Sequence, residues 1–174
     1  MQYINYYSSP LGTVTLASNG NELIGLWFEG QKYFGFTLNG EYKQKSLPVF
    51  EQTAKWLDIY FSGKNPDFTP PLFLSSTSFR NEVWKILLTI PYGKIMTYGE
   101  IAKLMAENRG VEKMSAQSVG GAVGHNPISI IVPCHRVVGT DGSLTGYAGG
   151  VDIKEKLLKF ENVDMSMLFV PKSK

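Results

Sequence analysis

The chain has 174 residues, 43% of them hydrophobic and 18% charged, with a single cysteine and a formal net charge of +2. An apolar fraction of that size over that length builds one ordinary domain or two small ones and excludes a disordered or collagen-like chain. The apolar runs, such as 84–90 and 128–132, fall far short of the roughly 20 residues that span a bilayer. One cysteine cannot close an internal disulfide or build a thiolate-rich zinc site. With no signal segment readable after Met1-Gln2-Tyr3, a reducing, cytoplasmic setting is expected and no membrane.

The charge is uneven along the chain. Up to Ser76, where a Pro- and Ser-rich stretch ends, five Lys and Arg face six Asp and Glu, whereas residues 77–174 carry twelve against nine. A near-neutral total thus conceals a slightly acidic first half and a basic second half. Two domains are expected, 1–76 and 77–174.

The first half opens with short β-type runs at 3–7, 12–17 and 22–28, rich in Tyr, Ile, Val and Leu. Ser18-Asn19-Gly20-Asn21 separates the last two, and an Asn-Gly pair suits a tight hairpin turn. A small antiparallel sheet is predicted. Val49, Phe50, Thr53, Trp56, Leu57, Tyr60 and Phe61 then recur every three or four residues, marking an amphipathic helix that ends before Gly63 and covers one sheet face. No chemistry is legible here.

The second half is mostly helical, which makes the chain α/β in the α+β sense. Thr77-Ser78 can cap a helix carrying Phe79, Val83, Trp84, Ile86 and Leu87, which stops at Pro91-Tyr92-Gly93. Thr97 followed by Glu100 is a capping-box pattern, opening a helix with Ile101, Ala102, Leu104 and Met105. After a polar linker at 107–113, Ser115 caps a helix of small residues: Ala116, Ser118, Val119, Gly120, Gly121 and Ala122. Each interior glycine costs about 1 kcal/mol relative to alanine. Tight helix packing and close approach of a bulky ligand such as a nucleic acid backbone both account for that cost. The two helices and their connector have the outline of a helix-turn-helix.

Asn126-Pro127 ends this helix, and the β-branched run 128–132 is predicted to be a buried strand. Pro133-Cys134-His135-Arg136 follows. A lone buried cysteine is an inert small hydrophobe unless its neighbours activate it, and His135 can do so by removing the thiol proton. Adjacent side chains in extended backbone point apart, so a bridging water is expected between sulfur and imidazole. Glu161, at the end of a helix over 153–161 that Asp152 can cap, is a candidate partner for the imidazole; the alternative is a solvated helix-end carboxylate. The glycine-dense segment 139–150 lacks the spacing and lysine of a phosphate-binding loop. With Tyr147 inside it, it reads as a mobile lid over a flat ring.

Pro133-Cys134-His135-Arg136-Val137-Val138-Gly139 behind Gly124-His125-Asn126-Pro127, with Tyr98-Gly99-Glu100-Ile101-Ala102 upstream, Tyr147-Ala148-Gly149-Gly150 and Leu157-Leu158-Lys159-Phe160-Glu161 downstream, resembles the O6-alkylguanine-DNA alkyltransferases, or methylated-DNA-protein-cysteine methyltransferases. The resemblance implies a ribonuclease-H-like first domain and a winged-helix-like second domain. It implies direct reversal of damage in double-stranded DNA: Cys134 takes the alkyl group from O6-methylguanine, and from O4-methylthymine, once and irreversibly. His135 would accept the thiol proton through a water, Glu161 would orient that imidazole, and Tyr98 would donate to the guanine ring. Asn126 would tie the recognition helix to the active-site segment. Val137, Tyr147 and Ala148 would line the base pocket. Tyr98, Ala116, Gln117, Gly120, Gly121 and Arg136 would meet DNA, entered through the minor groove with the target base flipped out. A monomer needing no cofactor or metal is implied.

One position departs from the pattern: many members carry an arginine in the recognition helix that fills the gap left by the flipped nucleotide, and Gln117 stands there. Other readings are a non-catalytic lesion binder, against which Cys134 argues, a cysteine hydrolase, which would turn over, and a regulator switched by alkylation.

Overall fold

A computed structural model describes residues 1–171; residues 172–174, the end of the expected second domain, lie outside the described residues. Its chain divides into two compact units, Met1–Ser75 with Pro127–Ile131, and Ser76–Asn126 with Val132–Lys174. The contiguous second domain expected from the sequence is thus interrupted by one short segment that belongs with the first unit.

In the first unit, β1 (Gln2–Ser9), β2 (Gly12–Ser18) and β3 (Leu23–Phe28) form an antiparallel meander. The Asn-Gly turn closes through an Asn19 side chain that accepts the N–H groups of Asn21 and Glu22 at 3.1 and 2.9 Å. Gly20 takes the left-handed conformation there, at φ 112°. The sheet is not purely antiparallel: β4 (Tyr42–Gln44) lies beside β1 in parallel, giving the order β3-β2-β1-β4. A strand that returns after a long irregular connection is free of the hairpin constraint that enforces antiparallel pairing. Helix α1 (Pro48–Phe61) buries Val49, Phe50, Thr53, Trp56, Leu57 and Tyr60, the stripe its periodicity predicts. The buried Thr53 hydroxyl donates back to the Val49 carbonyl at 2.7 Å, so it is not left unsatisfied.

The run 128–132 is not a strand. Ile128 makes one isolated bridge to Leu26, residues 129–131 turn, and Ile130 sits at φ +72°. Pro127 and Pro133 flank the run, and neither can donate to a ladder, so the β-branched side chains are buried in a turn instead.

In the second unit, three helices start on the caps that the sequence shows. The Thr77 hydroxyl accepts the Arg80 N–H before α2 (Ser78–Leu87), that of Thr97 accepts the Glu100 N–H before α3 (Tyr98–Arg109), and that of Ser115 accepts the Ser118 N–H before α4 (Ala116–Gly124). Between α2 and α3, β5 (Met96–Thr97) pairs in parallel with β6 (Val137–Val138), which follows a 3-10 turn, Cys134–Arg136. Helix α5 (Val151–Phe160) begins after Gly150 at φ 100°; Asp152 lies inside its first turn and does not cap it. α2 packs on α4, where the Trp84 indole N–H donates to the Ala122 carbonyl at 2.9 Å. Among the described residues, no helix is long and apolar enough to cross a membrane.

Candidate active site

The proline before Cys134 has no N–H, and the chain coils into the 3-10 turn directly after it, so Cys134 and His135 are not in the extended backbone first expected. The Asn126 side chain bonds the sulfur, and the backbone N–H groups of Cys134 and His135 act on it in the same direction, favouring the thiolate, while the Cys134 N–H itself donates to the Val132 carbonyl at 2.8 Å. The Asn126 amide also donates to the Val132 carbonyl at 2.7 Å, fixing the end of α4 to the segment that leads into the turn. Burial nevertheless dominates and pushes the Cys134 thiol up to about 11, so the resting group is the neutral thiol.

His135 is completely buried, and burial holds its imidazole below the ordinary value, hence neutral. Its Nε2 lies 2.5 Å from Glu161 Oε2, a bond between residues 26 apart in sequence. A carboxylate accepts, so the ring proton sits on Nε2 and the lone pair on Nδ1. Burial opposes ionisation of Glu161, but hydrogen bonds from His135 and the Arg136 guanidinium outweigh it and keep the carboxyl well below its usual range. The solvated alternative for Glu161 is thereby excluded: its side chain is 0% exposed.

Tyr98 opens α3, and its hydroxyl donates to the Thr145 carbonyl at 2.9 Å. Burial, then the neighbouring Cys134, pushes its phenol up to about 12, which keeps it a donor. The loop passes so close that a side chain at Gly146, at φ +78°, would meet the Tyr98 hydroxyl at 2.6 Å. Tyr147 is buried with its ring edge-on to His135 at 6.5 Å, and Ala148 is half-buried beside it in sequence. Val137 is buried in β6.

The loop 139–150 is anchored, in contrast to the mobile lid read from its glycines. Leu144 is fully buried with Val138, Leu158 and Val163, and its N–H bonds the Phe169 carbonyl at 2.9 Å. A carbonyl bonded from two sides, by Tyr98 and by Lys154 Nζ at 2.7 Å, is its other anchor.

Lys154 is the residue that sequence reasoning missed. It is completely buried, and burial pulls its ammonium down to about 8 while the nearby Cys134 sulfur works the other way. The signal was present: Lys154 is in register with Leu157 and Leu158, at i, i+3 and i+4, on the apolar stripe of α5. Arg136, expected to face DNA, points inward instead. Its backbone lies in a turn whose neighbours on both sides are buried, and its guanidinium is bonded to Glu161 and to the Ile90 carbonyl.

Apart from Tyr98 at the start of α3, the other residues expected at DNA lie together on α4, where Ala116, Gln117 and Gly121 are exposed and Gly120 is half-buried. An added methyl at Gly121 would meet nothing within 4 Å, and at Gly120 only the Tyr98 ring at 3.9 Å. Internal packing therefore does not require these two glycines. Among the described residues, no three His, Cys, Asp or Glu side chains gather as a metal site.

Residues 2–74 match the ribonuclease-like domain of 6-O-methylguanine DNA methyltransferase, and residues 78–163 match its DNA binding domain. The chain belongs to the 6-O-methylguanine DNA methyltransferase family. Similar members of this methyltransferase family include the methylated-DNA–protein-cysteine methyltransferases of Haemophilus influenzae, 39% identical over 92% of this chain and 87% of that one, and of Methanosarcina barkeri, 43% identical over 91% and 96%. A crystal structure of Mycobacterium tuberculosis OGT in complex with DNA matches with a TM-score of 0.80 at 41% identity, covering 91% of this chain and 92% of that chain. As a 6-O-methylguanine DNA methyltransferase relative, this chain pairs a ribonuclease-like unit without candidate site residues with a DNA binding domain that holds all of them.

Proposed function

We propose that the protein repairs O6-alkylguanine in double-stranded DNA by moving the alkyl group to its own Cys134, in a single turnover. The observation that carries this reading is the buried thiol held by Asn126, next to a neutral His135 whose far nitrogen is tied to a buried carboxylate. A thiol at about 11 needs its proton removed before it can attack. His135 Nδ1 takes that proton through a water. The sulfur then bonds the alkyl carbon as the bond to O6 breaks, and the electron pair stays on guanine. The restored guanine gains a proton at N1, so the proton lost by the thiol is balanced. The thioether does not hydrolyse, which makes the protein a reagent consumed once. The same displacement serves O4-methylthymine.

Tyr98 contributes by donating its hydroxyl to the flipped base, which makes guanine a better leaving group. In this structure that hydroxyl is on the Thr145 carbonyl. It exchanges partners when the base enters, and Lys154 keeps the carbonyl paired. The Lys154 ammonium also favours the thiolate electrostatically. DNA lies against α4, where Gly120 and Gly121 let a backbone approach and Gln117 replaces the flipped base in the stack without adding charge.

The test is to incubate the protein with duplex DNA containing O6-methylguanine and follow both partners by mass spectrometry. A methyl increment on the Cys134 peptide, stoichiometric with restored guanine, is the expected result. Repeated turnover, or methyl loss without that increment, overturns the reading.

A further inference from the structure

Arg136 sits next to the reactive pair and is turned away from any outer surface: its side chain is 10% exposed. Its Nε–H donates to Glu161 Oε1 at 2.8 Å and its Nη1 to the Ile90 carbonyl at 2.7 Å, while the guanidinium lies 5.8 Å from the centre of the Tyr92 ring. The same Oε1 accepts the Gly93 N–H at 3.0 Å, so one carboxylate oxygen is held by two donors and the other faces His135 Nε2. Gly93 is at φ +78°, and a Cβ there would come within 3.2 Å of the Glu161 carbonyl, so the turn that supplies this donor is itself closely fitted.

We propose that Arg136 is a positioning residue for methyl transfer: by pinning Glu161 Oε1 it keeps that carboxylate ionised with Oε2 on His135, so that His135 Nδ1 remains the base. The inference rests on the proposed role of His135 as acceptor of the thiol proton. A guanidinium suits the task because its rigid planar fork holds separate donors, Nε–H for the carboxylate and Nη1 for the carbonyl, in fixed directions, whereas a lysine has a single compact ammonium to share between them.

The charge balance gives the consequence. With Arg136 in place, the trio of Arg136, Glu161 and neutral His135 carries no net charge; without it, the His135–Glu161 pair is a buried anion that binds a proton more tightly. The other titratable groups facing the pair are Cys134 on its own turn, Tyr92 from the 91–93 turn, Lys154 from α5 and Tyr147 from the 139–150 loop. Lys154 is turned to the Thr145 carbonyl, whereas Arg136 bonds the carboxylate directly. Removing Arg136 therefore makes the pair take up its proton at a higher pH and lose its function as a base there. Transfer then fails on the acid side of the profile and survives on the alkaline side.

The experiment measures the single-turnover rate at saturating protein, on duplex DNA containing O6-methylguanine, from about pH 5 to about pH 9. Wild type, Arg136→Met and Arg136→Lys are compared, with the folded fraction checked by circular dichroism. The acid limb of the Met variant moves up by about one pH unit, a roughly ten-fold loss at fixed acid pH, with a rate near wild type at alkaline pH. The Lys variant moves less, because it restores charge without the fork. A folded Met variant whose profile is lowered equally at every pH overturns the proposal, since that is the signature of a merely structural role. If the Met variant does not fold, the Lys variant decides by the same criterion. Independently of any variant, histidine nitrogen NMR of the wild type should show His135 protonated on Nε2, and protonation on Nδ1 alone overturns it. Absence of methyl on wild-type Cys134 would sink the repair reading itself; methylation of Cys134 with an unmoved acid limb sinks only the role of Arg136.

Discussion

Lys154 shows what a single buried side chain costs and what it supplies. An ammonium pulled down to about 8 by burial binds its proton less tightly than in the unfolded chain, at 10.5. Below pH 8 the folded state carries the whole penalty, and between these two values stability rises with pH as the penalty is relieved. Lys154→Met should therefore be more stable than wild type at neutral pH, with the difference shrinking as pH rises above 8, by up to ~1.4 kcal/mol per pH unit. Denaturant unfolding of both proteins across that range checks it. The same variant should transfer methyl more slowly, because the thiolate loses a cation that favours it. A variant both less stable and fully active would assign Lys154 to packing alone. Glu161→Gln presents an amide to His135 Nε2 in place of a carboxylate. It should slow transfer by about 10²-fold or more while leaving DNA affinity unchanged, and rapid-quench rates beside binding titrations test both halves.

At the scale of elements, α4 is the helix whose composition makes sense only from outside. Gly121 is exposed and has open space around it. Gly121→Ala should stabilise the protein by about 0.5–1 kcal/mol through helix propensity and weaken binding to duplex DNA through the added methyl. Thermal melts and salt-controlled titrations report the two effects separately, and tighter binding would show that no backbone approaches there. Gln117→Arg, on the exposed first turn of the same helix, should strengthen binding or base flipping, read by fluorescence of a 2-aminopurine target; an unchanged signal means the position is not in the stack. Caps at Thr77, Thr97 and Ser115 were legible because each is a bond across three residues, decided locally. Pairing across a sheet is not local. The parallel β4, the interrupted run 128–132 and the anchored glycine loop follow from where distant segments supply or withhold partners, which periodicity does not record.

For the whole molecule, the uneven charge has a measurable consequence. The DNA binding domain lies in the basic half of a chain with a net charge of only +2. Affinity for duplex DNA should therefore fall steeply as salt rises, linearly in logarithmic coordinates, while the transfer rate at saturating protein stays nearly constant. A salt-independent affinity would remove phosphate contacts from the binding mode.

The sequence by itself determined the secondary elements with strong caps and stripes, the family, and the ordered set of Cys134, His135, Tyr98 and Asn126 around one thiol. Spacing and local hydrogen bonds carry that information, and they survive in one dimension. Only the tertiary structure decided which groups supply charge to the site. It turned Arg136 from DNA onto Glu161, put the charge of buried Lys154 within reach of the sulfur, and decided that Glu161 is the buried partner of His135, where the sequence left a solvated carboxylate as the alternative. Whether a cation faces water or a buried partner depends on what the fold packs around it, and Coulomb interactions in a dry interior reach across segments that no sequence window contains.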